Sequence, residues 1–411
     1  MAEKEELLVK QVEDITETWV LGLLHHSLHA PVRLRRWSRV ESSSRDTLAG
    51  FSSSRATIEV EYEVEGEATL KKETYVVKVI PTEGHMAGLL TSEGMHHVEV
   101  GQYGRFLRAL GAWETEKLGA GVGVVAEIVP AHALALSTPH HFTLVLPEIT
   151  NLGYQIHSVV EGLGEAQVVA VASKMGRFHG TTVSYKVLTG ANLQTDFPKC
   201  FHQGNIDSPV FSVFARAGFE RLREEWSRDA SRRHLLELLE PYEAIFAEFV
   251  IASLKPEEPF ATALHGDLQP SNIFFKHDAQ GQLTIKLIDW ATARYSQGPI
   301  DLVYLLNIGV DPEVRRKVTL EAKEAYFEAF NASLADLKAN MSYPRDLFEE
   351  QFARCRQMMV VWSVMCFNIF FSTPHLMDRL VGIISDVLLD PSISPPTLPP
   401  SAAHPTHSPS T

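Results

Sequence analysis

His265, Asp267 and Asn272 stand together in ALHGDLQPSNIFF, Ala263 to Phe275, at the spacing H-x-D-x-x-x-x-N. An aspartate followed five positions later by an asparagine meets two needs of phosphoryl transfer. The carboxylate can stand beside an acceptor hydroxyl, and the amide oxygen can hold a divalent metal. A second metal ligand should come from the next strand. Asp289 closes the apolar run TIKLIDW, after the DAQGQ turn has brought the chain back. Carboxylate and amide oxygens, completed by phosphate, suit Mg²⁺. Upstream, YVVKVI sets Lys78 inside a strand, on the face it shares with Val76 and Ile80. A charge in such a run needs an anionic partner, and Glu99 on the following helix is the candidate. The turn in LAGFSSSRATIEVEY offers Gly50, Ser52 and Ser53, whose backbone N–H groups can approach phosphate.

Each of these residues also has a plainer reading. Asp267 alone fits a turn or a helix cap, and Glu99 lies on a helix that reads as exposed, where a surface charge needs no function. The set of Lys78, Glu99, Asp267, Asn272 and Asp289 at these offsets favours chemistry. His265 reads as a structural brace of the loop rather than a proton carrier, and Asp301 as a helix cap bracing the same loop. His179 in GRFHG reads as a packed helix residue. The stretch GVGVVA matches G-x-G-x-x-A, but it follows WETEK rather than an apolar strand and reads as followed by no helix, which disfavours a dinucleotide site. MHHVE and PHHF lack catalytic zinc spacing, and no G-x-S-x-G elbow supports a hydrolase.

The elements that must position these residues follow from periodicity. Glu5 to His29 repeats apolar positions at helical spacing. RATIEVEYEVEG and LKKETYVVKVI alternate as antiparallel strands, SEGMHHVEVGQYGRFLRAL reads as a helix, and VGVVAEIV and HFTLVLPEI read as strands. Helices follow in AQVVAVASKMGRFHG and between Phe211 and Leu254. Strands return in FATALHGD, SNIFFKHD and LTIKLIDW, and from Asp301 the chain is helical to about Leu389. The expected division is residues 1–149 as a small β-rich lobe with an N-terminal helix, 150–390 as a mainly helical lobe, and 391–411 as a disordered Pro/Ser-rich tail. PPTLPP in that tail offers a weak ligand for a polyproline-reading domain.

The bulk numbers set the class. A chain of 411 residues with 45% hydrophobic and 21% charged content suits a globular enzyme of two lobes. Three scattered cysteines, Cys200, Cys355 and Cys366, argue against a disulfide framework and suit a reducing cytoplasm. The charged MAEKEELLVKQ start has no secretory apolar region, and MMVVWSVMCFNIFF is too short for a membrane span. A net charge of −14 disfavours nucleic acid and anionic membrane as partners.

ALHGDLQPSNIFFKHDAQGQLTIKLIDW resembles the catalytic segment of the aminoglycoside phosphotransferase and choline kinase superfamily. The whole chain resembles its ecdysteroid kinase-like, or CHK kinase-like, family through ETYVVKVIP, VEVGQY, LVLPEITNLGYQ, KMGRFHG and GPIDLVYLL. Gln269 stands where that family often has Trp. The resemblance implies an α+β, two-lobed protein-kinase-like fold that uses ATP and Mg²⁺ to phosphorylate the hydroxyl of a small molecule, possible acceptors being a steroid-like alcohol, choline or an aminoglycoside. It implies Asp267 as the catalytic aspartate, Asn272 and Asp289 as metal ligands, and Lys78 with Glu99 as the phosphate-binding pair. It also implies that the Pro147 carbonyl and the Ile149 N–H hold adenine. A protein kinase is disfavoured because IDWATARYSQGPIDL leaves no room for a long activation loop and has no D-F-G glycine. A silent nucleotide-binding scaffold is disfavoured because none of the five polar positions is lost.

Overall fold

A computed structural model of the chain describes residues 6–40, 54–79, 94–119, 121–202, 209–367, 373–393 and 396. Gly50, Ser52 and Ser53 lie outside the described residues, as does the PPTLPP stretch apart from Pro396. The chain forms two compact units, Met1–Gln203 with Glu257–Pro344, and Gly204–Pro256 with Arg345–Thr411.

In the first unit, helix α1 (Glu17–Leu28) precedes strands β1 (Val32–Val40), β2 (Ser54–Val64) and β3 (Lys71–Val79). Helix α2 (Met95–Gly101) runs through a π-turn, Gln102–Phe106, into α3 (Leu107–Leu118), followed by the short α4 (Val124–Ile128). Strands β4 (Leu134–Ser137) and β5 (Phe142–Pro147) complete one antiparallel sheet of order β1-β2-β3-β5-β4. One face of this sheet is core. Alternation along β2 buries Ala56, Ile58, Val60 and Tyr62 against Trp19, Val20, Leu23 and Leu24 of α1, together with Tyr75, Val77 and Val79 of β3. The other face carries Lys78.

Two sequence expectations need correction here. The helix expected over Glu5–His29 begins only at Glu17, where Thr16 accepts from the Trp19 N–H at 3.3 Å. The preceding segment is held on the sheet instead: Val9 N–H donates to Thr143 Oγ1 at 2.7 Å and the Trp19 indole to the Leu7 carbonyl at 3.0 Å. The strand expected at VGVVAEIV is the helix α4. Its exposed N–H groups find a buried carboxylate, with Val124 and Val125 donating to Glu114 at 2.9 and 3.0 Å.

The rest of the first unit builds the floor of the site. Strand β6 (Gln155–Ile156), α5 (Glu165–Thr189) and α6 (Leu193–Asp196) precede the second unit's first helices. These are α7 (Pro209–Trp226), α8 (Arg233–Ala244) and α9 (Phe246–Leu254). The chain returns through β7 (Ala261–Leu264), β8 (Ile273–His277), β9 (Leu283–Leu287) and β10 (Arg294–Gln297). They form two small sheets, β10-β7 and β6-β8-β9. Helices α10 (Pro299–Ile308) and α11 (Pro312–Asp336) close the unit. The glycines of KMGRFHG let α5 and α11 touch backbone to backbone. A Cβ at Gly176 would fall 2.2 Å from the Tyr326 carbonyl oxygen, and one at Gly180 2.4 Å from that of Phe330. In the second unit, α12 (Arg345–Met365) buries most of MMVVWSVM, and α13 (Pro374–Leu388) ends the helical run. The chain is thus α+β, a five-stranded antiparallel sheet followed by a mainly helical remainder. No helix among the described residues is long and apolar enough to cross a membrane.

Candidate active site

Lys78 and Glu99 meet. The Lys78 Nζ lies 2.6 Å from Glu99 Oε1 and 3.6 Å from Asp289 Oδ2. The lysine is placed by strand alternation: Val77 and Val79 enter the core, so Lys78 must leave by the other face. Glu99, which read as exposed in the sequence, is only 2% exposed. Burial pushes its carboxyl above the usual range, against the pull of Lys78. The helix carrying Glu99 is held from beyond its end. Gln102 donates to the Cys200 carbonyl, and Arg105 reaches the carbonyls of Pro198 and Asp196 at 3.0 and 3.2 Å.

The loop after β7 is braced from beneath by Asp301, which is fully buried. Its Oδ2 accepts the His265 N–H at 2.7 Å and its Oδ1 the Gly266 N–H at 2.9 Å. His179 Nε2 lies 3.3 Å from the same carboxylate, and its Nδ1 lies 2.7 Å from the Tyr326 hydroxyl. Gly266 turns the loop with φ of 85°, where a Cβ would fall 2.4 Å from the Thr292 carbonyl oxygen. His265 has no nitrogen to spare. Its Nδ1 accepts the Asp267 N–H at 3.2 Å, so Nε2 carries the proton and donates to the Ile288 carbonyl at 2.9 Å. Burial lowers its pKa, which keeps the ring neutral at pH 7.

Asp267 is surrounded by donors. Oδ1 accepts from the Tyr304 hydroxyl at 2.5 Å, and Oδ2 from Asn272 Nδ2 at 2.8 Å and Gln269 Nε2 at 2.9 Å. Burial nevertheless pushes its pKa up to about 6, because these donors are neutral and Asp289 adds a like charge nearby. Asn272 also donates to the Asp267 carbonyl at 2.9 Å, so its amide nitrogen is committed and its oxygen is the atom left to coordinate. Asn272 and Asp289 are brought close by the β8–β9 pairing, since the Ile288 N–H donates to the Asn272 carbonyl at 3.1 Å. Asp289 itself has φ of 65°, a left-handed conformation that ends β9 and re-aims the side chain. Burial works to raise its pKa, but Lys78, Arg55 and His265 outweigh it and hold the carboxyl below its usual range.

Pro147 and Ile149 lie at the end of β5. The Glu148 N–H donates to the Thr74 carbonyl at 2.9 Å, on the β3 side. The Pro147 carbonyl, in the same peptide as that N–H, therefore turns to the opposite side, and Ile149 opens a 3-10 turn, Ile149–Leu152. The β4 ladder ends before them, at Leu134 opposite Val145. Among the described residues no cluster of three or more His, Cys, Asp or Glu forms a metal cage. Asn272 and Asp289 do fit a magnesium ion that takes its remaining ligands from phosphate and water.

Sequence reasoning brought Lys78, Glu99, Asp267, Asn272 and Asp289 into one site, with His265 and Asp301 beneath it. It missed Tyr304. A signal was present in GPIDLVYLL: Tyr304 lies three residues after Asp301 on α10, hence on the same helical face. It also missed that Gln269 bonds Asp267.

A sequence profile of the ecdysteroid kinase-like family matches residues 47–339. No curated protein matches the chain. Among solved structures, amicoumacin kinase hAmiN in complex with AMP-PNP, Ca²⁺ and Ami is similar at 12% identity and a TM-score of 0.46, covering 93% of this chain and 96% of that one. A Plasmodium vivax ethanolamine kinase is similar at 11% identity and 0.40, covering 92% and 96%. The GDP complex of wild-type aminoglycoside 2'-phosphotransferase-IIIa is similar at 11% identity and 0.40, covering 91% and 99%.

Proposed function

Because the chain belongs to the ecdysteroid kinase-like family, we propose that it transfers the γ-phosphoryl group of ATP to the hydroxyl of a small molecule. The observation that carries this reading is the convergence on one ammonium. Lys78, from the antiparallel sheet, lies within 3.6 Å of both Glu99 and Asp289, and Asp289 neighbours Asn272 and Asp267. A phosphate-holding cation, a metal-binding pair and a proton acceptor are thereby gathered in one place.

In this reading Asp267 orients the acceptor hydroxyl and takes its proton on Oδ1, where Tyr304 is the one donor and a lone pair stays open. Lys78, held upright by Glu99, contacts the phosphates that stay behind. Asn272 and Asp289 hold Mg²⁺, which when bound neutralises charge on the phosphates. The Pro147 carbonyl and Ile149 N–H are the hydrogen-bonding edge for adenine. Gly50, Ser52 and Ser53, which lie outside the described residues, are assigned to the phosphates by their place in the sequence. Most of the acceleration comes from positioning and electrostatics, with no covalent intermediate on the protein.

The acceptor we propose is an uncharged or cationic alcohol with a sizeable apolar body, steroid-like rather than phosphorylated. The family's description and the net charge of −14 support this. The three cysteines are buried and none is disulfide-bonded, which supports a place in the reducing cytoplasm. The test is incubation with Mg-ATP and a panel of steroid alcohols, choline, aminoglycosides and sugar phosphates, read by mass as gain of one phosphate. Turnover of an apolar alcohol is expected. A chain that phosphorylates only sugar phosphates sinks the acceptor proposal alone. One that binds no nucleotide and phosphorylates nothing sinks the kinase reading.

A further inference from the structure

Arg55 lies directly opposite Lys78 in the β2–β3 ladder. Directly opposed residues of an antiparallel pair put their side chains on the same face. The other face of β2 is taken by Ala56, Ile58 and Val60, all buried in the core with α1. The Arg55 guanidinium therefore leaves the sheet where Lys78 does, toward Glu99 and Asp289. Its charge is felt there, since it helps to draw both carboxyls down. In the chain it stands two residues past Ser53.

Two cations, Lys78 and Arg55, and two carboxylates, Glu99 and Asp289, share this face, and the ion pairs among them run through Lys78. Lys78 is committed to Glu99 at 2.6 Å, with Asp289 as its second partner. Among the described residues no carboxylate forms an ion pair with Arg55, and its Nε is buried without a hydrogen-bond partner. A guanidinium is a planar fork of five donors that fits phosphate oxygens two at a time. A polyphosphate arriving beside Lys78 would supply the acceptor oxygens this fork lacks.

We propose that Arg55 is a second phosphate-binding cation of the cleft, gripping the phosphate chain of the nucleotide together with Lys78. The proposal rests on the reading of this site as a nucleotide site. It also assigns the two cations different tasks. Lys78 is tied to the carboxylates and sets the geometry, whereas Arg55 is free to add affinity for the phosphate chain.

Calorimetric titration of ATP and of adenosine, both with Mg²⁺, into wild type, Arg55→Ala, Arg55→Gln and Arg55→Lys tests it. Loss of charge-assisted bonds should weaken ATP binding by about ten- to a hundredfold in the Ala and Gln variants, with Lys between them and wild type. Adenosine, which has no phosphate, should bind all four alike. If Ala and Gln bind ATP as wild type does, while wild type still prefers ATP to adenosine, the Arg55 assignment is overturned and the site reading stands. Equal losses for adenosine and ATP would make Arg55 structural and also overturn it. If wild type binds neither ligand, the site reading falls and the assignment with it.

Discussion

Asp267 and Asp289 are the same residue type in one cleft, yet their surroundings drive them apart. Asp267 sits on the braced loop after β7, among neutral donors: a phenol and two amides. Burial wins there and its pKa rises to about 6. Asp289 sits at the left-handed end of β9, where Lys78 and Arg55 outweigh burial and hold its carboxyl low. One carboxylate is thus poised to exchange a proton near neutral pH, and the other is held toward its anionic form. Separation of this kind lets two carboxylates divide the labour of proton acceptor and cation ligand.

Removing the first carboxylate should have the largest effect. Asp267→Asn is expected to lower turnover by on the order of a hundredfold or more, since the proton acceptor is lost. Its melting temperature at pH 7 should not fall. The sign follows from linkage: a carboxyl with a raised folded-state pKa favours the native state when protonated. That contribution is present below the ordinary carboxylate range and is lost as pH rises through about 6. At pH 7 the ionised Asp267 is therefore a burden that Asn relieves, which offsets the cost of turning the Asn amide nitrogen against one of the surrounding donors. Near-normal turnover by the variant would remove Asp267 from its role.

Breaking the second carboxylate tests the other half. Asp289→Ala should abolish the rise in melting temperature that Mg-ATP gives the wild type, because a metal ligand is gone. A variant stabilised by Mg-ATP as much as wild type would show that Asp289 does not hold the metal.

Lys78→Met sharpens the comparison through its cause. It strands Glu99 in the interior, which typically costs about 3–5 kcal/mol, less whatever Glu99 recovers by taking up a proton. Chemical denaturation should show that loss, and a second change, Glu99→Leu, should restore much of it without restoring activity. A Lys78→Met protein as stable as wild type would contradict the buried pairing seen at 2.6 Å.

The smallest effect expected is a shift in pH dependence. The acidic limb of kcat/KM should fall as pH drops through about 6, where Asp267 takes a proton. Tyr304→Phe deletes the hydrogen bond that most strongly favours the ionised form, so the limb should move to higher pH, by roughly one unit at most. A limb that stays in place would mean that Tyr304 does not tune Asp267.

Local patterns in the chain foretold the elements that carry the site. Lys78 could be placed on the side of β3 away from the core because alternation is a property of neighbouring residues. Asp267 and Asn272 could be paired because five residues of one loop separate them. Patterns failed where a distant partner decided. VGVVAEIV has the composition of a strand, and it is a helix because Glu114, on another element, satisfies its first N–H groups. Glu99 was legible as the partner of Lys78, but its helix reads as exposed and its burial was not legible. Its burial comes from the sheet and from the backbone at Pro198 and Cys200 that pins the end of that helix.

Residue types and spacing alone determined that five polar groups of the kinds suited to phosphoryl transfer stand on a strand, a helix, a loop and a strand end. They could not say which aspartate would hold a proton. That depends on how much water each loses and on which charges come near. Tyr304 reaches Asp267 across 37 residues of chain, and the charge of Arg55 acts on Asp289 from another strand. Electrostatic environment is a sum over neighbours in space, so only the tertiary structure decided it.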